Sequence, residues 1–87
     1  MADEDKFFAR QLNGKTVVSK AGKRFGEVSG LTFEVRTGEL MQIVLRNPTI
    51  FAEGMELERD GAGSFLIPFN SVVAIGDYVV VSEEEII

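Results

Sequence analysis

The chain has 87 residues and a net charge of −5, with neither cysteine nor histidine. One small domain is expected, and disulfides, thiol nucleophiles, imidazole catalysis and ordinary structural zinc sites are excluded. The charge is unevenly spread: residues 1–46 carry eight Lys or Arg against six Asp or Glu, while residues 47–87 carry one against eight. That division could favour head-to-tail contact or a charged partner, and its plainer reading is solvated surface on both halves.

Residues 1–9 read as a flexible acidic lead, with Phe7 and Phe8 pinned to the body. The opening MADEDKFFARQ has no apolar run of signal-peptide length. Every later apolar stretch is strand-sized and far short of a membrane span. A cytoplasmic protein without membrane insertion is the expectation.

Asn13-Gly14 is a turn, followed by a β-branched strand at Thr16 to Val18. Lys20 to Lys23 turn the chain into a long strand from Phe25 to Val35, where Leu31, Phe33 and Val35 share one parity and Val28 has the other. The change of phase at Ser29-Gly30 predicts a β-bulge. Arg36 to Glu39 turn back into a strand from Leu40 to Leu45 that is apolar on both sides. Met41, Ile43 and Leu45 line one face, and Leu40 and Val44 flank Gln42 on the other. A strand of that kind in so short a chain needs a cover, supplied either by a second molecule or by a segment of its own.

Asn47-Pro48 ends that strand. Residues 49–63 are irregular, with one short helical turn between Thr49 and Leu57. Phe65 to Ile67 form a strand stopped by Pro68, and Phe69 to Ser71 suggest a single helical turn. Val72 to Ile75 and Tyr78 to Val81 are strands separated by Gly76-Asp77. Residues 83–87 form an acidic tail ending in Ile86 and Ile87. These isoleucines either add to a neighbour's edge strand, dock in a groove or fold back.

Catalytic, cofactor and metal sites are not expected. Ser29, Ser64 and Ser71 lack an activating partner, and Asp77 reads as a turn residue. Gly22 and Gly26 bracket a segment without the form of a phosphate loop, so they read as turn and close-packing positions. Lys20, Lys23 and Arg24 make the only basic patch. The acidic second half opposes its use on a phosphate backbone, and nucleic acid is not an expected partner. The tally is an all-β fold: a small β-barrel of five to six short, strongly bent antiparallel strands with at most one short helical turn.

The glycine pattern has a further meaning. Leu12, Gly14, Lys15 and Val17, then Gly22, Gly26 and Val28, then Thr37 and Gly38 stand in the order of the PRC-barrel motifs. So do Ile67, Pro68 and Val72, followed by Ile75, Gly76, Asp77 and Val79. The chain resembles the PRC-barrel domain over residues 10–82, and within that family it is most similar to stand-alone archaeal proteins of the CdpB cell-division type. The resemblance implies a non-enzymatic, homodimeric adaptor recruited to the division site by a SepF-like membrane anchor of the FtsZ ring. The alternative it implies is a ribosome-maturation or RNA-processing module like the barrel of RimM. The surfaces that would serve a dimer or partner are Leu40, Gln42 and Val44, together with Ile86 and Ile87.

Overall fold

A computed structural model describes residues 10–86, so the expectations for residues 1–9 and for Ile87 lie outside the described residues. Residues 10–12 are helical and place Leu12 in the core. The strands are β1 (Thr16–Ser19), β2 (Arg24–Phe33), β3 (Leu40–Arg46), β4 (Glu58–Arg59), β5 (Phe65–Pro68), β6 (Val72–Ile75) and β7 (Tyr78–Val81). Helix α1 (Ile50–Glu53) lies between β3 and β4, a 3-10 turn (Phe69–Ser71) joins β5 to β6, and α2 (Glu83–Ile86) follows β7.

All seven strands belong to one sheet in the order β4-β5-β3-β2-β1-β7-β6. The hairpins β1–β2, β2–β3 and β6–β7 are antiparallel, as their turn residues dictate. The pairing of β1 with β7 is parallel, with Thr16 beside Tyr78 and Ser19 beside Val81. No turn can make that contact, because parallel neighbours must come from distant parts of the chain.

One face of the sheet holds the core. Val17, Phe25, Val28, Ile43, Leu45, Ile67, Val79 and Val81 are buried there, and Ala52 of α1 joins them. Phe25 meets the ring of Phe51 edge-on, with centroids 5.3 Å apart. Each of these larger side chains contributes about 1.5–3 kcal/mol by leaving water. Helix α1 is held onto this face by Thr49, whose hydroxyl accepts from the Ala52 amide and donates to the Arg24 carbonyl.

The predicted phase change in β2 is present: its register with β3 shifts between Val28 and Gly30, leaving Ser29 as the extra residue. The strand ends at Phe33, earlier than expected. Val35 belongs instead to the β2–β3 loop, where it is 97% exposed.

The closed barrel must be withdrawn. The order ends at β4 on one side and β6 on the other, and among the described residues no ladder joins those ends. β4 is only two residues long, and both pair with β5. The sheet is therefore open and, through β1–β7, mixed in direction, not the antiparallel β-barrel expected. Seven strands replace five or six, the extra one lying in the segment read as irregular. Three short helices replace the single helical turn. The turns read within 49–57 and at Phe69–Ser71 are present, and α2 was missed because a four-residue segment is too short to show a 3.6-residue period.

Candidate partner-binding surface

Side chains on β3 alternate between the two faces of the sheet. Ile43 and Leu45 point into the core, so Leu40, Gln42 and Val44 point away from it, and all three are half-buried. Their neighbours follow from the register. Val44 stands opposite Leu66 on β5, and Gln42 opposite Pro68. On the other side, Thr32 of β2 lies opposite Gln42 and its hydroxyl contacts Gln42 Oε1 at 3.3 Å. Phe33, opposite Leu40, is 36% exposed.

Leu66 is the residue that sequence reasoning missed. It is buried, yet it does not belong to the core cluster that takes its neighbours Phe65 and Ile67. It extends the outer face of β3 onto β5. The signal was available, since Leu66 is an apolar residue of the wrong parity in a strand whose core positions are Phe65 and Ile67. That is the same doubly apolar pattern that singled out β3.

Beyond Leu66 the surface falls into a cleft of about 300 Å³. Met55, Leu57, Leu66, Pro68 and Ile86 form its apolar lining, and Glu56 and Glu58 stand at its rim. The Gln42 amide donates to Glu58 Oε1 at 3.5 Å, joining the cleft to the outer face of β3. Ile86 reaches it from α2, where the Glu85 amide donates to the Ser82 carbonyl to form the helical turn. The same side chain packs against the core cluster. Of the three fates considered for the terminal isoleucines, Ile86 here takes the fold-back. Gln42 and Val44, paired with Pro68 and Leu66, thus adjoin the cleft that Ile86 lines, while Leu40 lies farther along β3 opposite Phe33.

The basic patch lies elsewhere. Lys20, Lys23 and Arg24 are exposed on and beside the β1–β2 turn. The turn is held by Ser19, whose hydroxyl accepts from the amides of Ala21 and Lys23. Lys23 Nζ stands 5.9 Å from the centre of the Phe51 ring. Arg24 lines a shallow groove with Val18, Gly22 and Tyr78 on the outer side of β1 and β7. The three cations share one turn and make no contact with the β3 surface.

No group of three or more carboxylates placed to hold a metal ion occurs among the described residues. No helix among them is long and apolar enough to cross a membrane. The acidic side chains are distributed around the surface, and the ion pair between Arg46 Nε and Glu27 Oε1, at 3.2 Å, is half exposed. Exposed pairs of this sort contribute about 0–1 kcal/mol.

The chain is 29% identical over 79 residues to the uncharacterized protein MJ1118 of Methanocaldococcus jannaschii, an alignment covering 91% of this chain and 84% of the relative. The family model for the PRC-barrel domain matches residues 4–85, nearly the whole sequence. The chain belongs to the PRC-barrel family, whose domains serve as protein–protein interaction modules and not as catalysts.

Proposed function

We propose that this protein is a homodimeric adaptor, joined to its second copy through the outer face of β3 at Leu40, Gln42 and Val44. The observation that carries the reading is the continuity of that face. Val44 lies beside the buried Leu66 and Gln42 beside Pro68, so the face runs across two adjacent strands. A sheet face of this kind gains free energy by meeting another apolar surface, at roughly 25 cal/mol per Å² removed from water. The polar Gln42 at its centre can pair with its own copy across a two-fold axis.

A SepF-like anchor of the FtsZ ring is the partner that the CdpB-type likeness implies. In this reading the dimer holds two such anchors at the division site.

The test is oligomeric state. Light scattering at micromolar concentration returns twice the chain mass for the wild type, and Val44→Glu returns the mass of one chain with the far-UV spectrum unchanged. A wild-type protein of single-chain mass overturns the homodimer. Binding to a purified SepF-like protein, measured by calorimetry, separately tests the division role.

A further inference from the structure

The cleft beside β5 combines two properties that together specify an occupant. Its floor is apolar and built from separate parts of the chain: Met55 and Leu57 from the segment before β4, Leu66 and Pro68 from β5, and Ile86 from α2. At about 300 Å³ it stands at the lower end of the range for small-molecule sites, about 300–1,000 Å³. That is room for a large side chain of a partner and little more.

The rim carries one sign of charge. Glu56 and Glu58 edge the opening, and the helix that supplies Ile86 contains Glu83, Glu84 and Glu85. Nothing nearby neutralises them. Arg59 is the only basic residue after position 46, and its guanidinium is stacked 4.5 Å from the centre of the Phe65 ring. Among the described residues, none of these five glutamates forms an ion pair. An apolar socket edged by Glu56 and Glu58, with no cation in its lining, favours an apolar side chain flanked by cations, because like charges repel an acidic segment.

We infer that this cleft binds a basic segment of a partner protein, seating one large apolar side chain between Leu66 and Ile86 while flanking Lys or Arg residues meet Glu56 and Glu58. The inference rests on the adaptor reading and assigns it a second contact, which adjoins the dimer seam at Leu66 and Pro68. The β3 face holds the second copy, and the cleft takes the client. A second copy of this chain meeting the cleft rim to rim is the weaker occupant, since it would bring further carboxylates towards Glu56 and Glu58.

Three synthetic peptides of the same length test it: Lys-Lys-Leu-Lys-Lys, Lys-Lys-Ser-Lys-Lys and Glu-Glu-Leu-Glu-Glu, all capped at both ends. The readout is the ε-methyl resonance of Met55, which lines the cleft, with the Met41 methyl as a reporter outside it. The basic leucine peptide is expected to shift Met55 and not Met41. Its affinity should exceed those of the serine and acidic peptides by at least tenfold and weaken with added salt. Glu56→Lys combined with Glu58→Lys changes only exposed side chains and should reduce that affinity at least tenfold in a protein of unaltered thermal midpoint.

Equal binding of the serine peptide would reduce the effect to charge alone and overturn the inference. Binding that ignores the double charge reversal, or that moves Met41 and not Met55, does the same. Light scattering on the same samples separates the two readings: a single-chain mass with a retained Met55 shift removes the dimer and keeps the cleft, and the reverse result removes the cleft and keeps the dimer.

Discussion

Gly26 sits on β2 with φ at +152°, and a Cβ built on it would lie 2.9 Å from the Arg46 carbonyl oxygen and 3.3 Å from the Pro48 Cα. The obstruction is backbone at the end of β3, which cannot rotate away. Gly26→Ala therefore combines an unfavourable backbone conformation with overpacking, and the expected loss is about 2–4 kcal/mol. Gly30→Ala is the control, because open space surrounds that position and its change should stay below about 1 kcal/mol. Urea denaturation of the two variants decides the matter, and similar midpoints would refute the crowding at Gly26. Both residues belong to one glycine-punctuated stretch, and the sequence reads Gly26 as a turn or close-packing position and Gly30 as part of a bulge without saying what crowds Gly26. What distinguishes them is where the end of β3 comes to rest, a fact of tertiary structure. Gly22 differs again: with φ at +85° and nothing within 4 Å, it is a turn residue and no more.

At the scale of elements, α1 depends on a single side chain. Thr49 caps it by accepting from Ala52 at 3.2 Å, and its 2.6 Å bond to the Arg24 carbonyl ties the helix to the start of β2. Thr49→Ala should cost about 1–2 kcal/mol, the usual size of a lost cap, and Thr49→Ser should restore most of it. Thermal unfolding monitored by circular dichroism reads both. An alanine variant as stable as wild type would show that the packing of Ala52 and Phe51 holds the helix unaided. Six of the seven strands were legible because β-branched and aromatic runs stand between Gly, Pro and Asn signals. β4 was not, since two residues carry no alternation, and α2 was hidden within a run of acids. The β3 surface was visible from Leu40, Gln42 and Val44, but the cleft was not. Its residues are drawn from 55–58, 66–68 and 86, and only the β3–β5 register and the return of α2 bring them together.

At the scale of the molecule, the decisive contact is the one between β1 and β7. It places Val17 beside Val79 in the core and carries β6 with it, so the late strands share the cooperative unit of the early ones. Tyr78 begins β7 and is the only tyrosine, in a chain without tryptophan. Its fluorescence thus reports on this end of the sheet, while far-UV circular dichroism reports on the whole. The two urea transitions are expected to share one midpoint. An earlier transition for Tyr78 would mean that β6 and β7 detach as a unit of their own. The sequence reading placed each of these strands and still reached a closed antiparallel barrel, because it joined strands by the turns between them. Turns specify neighbours along the chain. They say nothing of a parallel partner reached across the rest of the fold, or of whether the two ends of the strand order meet.

The β1–β7 pairing also bears on how the protein is made. Synthesis proceeds from β1 onwards, so β1 leaves the ribosome long before the strand that lies along its second edge. While β2 to β6 are translated, β1 has only β2 beside it, and its other row of amides and carbonyls faces whatever is near. A nascent chain in that condition offers a short β-branched edge to other nascent chains. The arrival of β7 removes that exposure in one step, so the quality of the final strand governs not only the finished fold but the yield of chains that reach it.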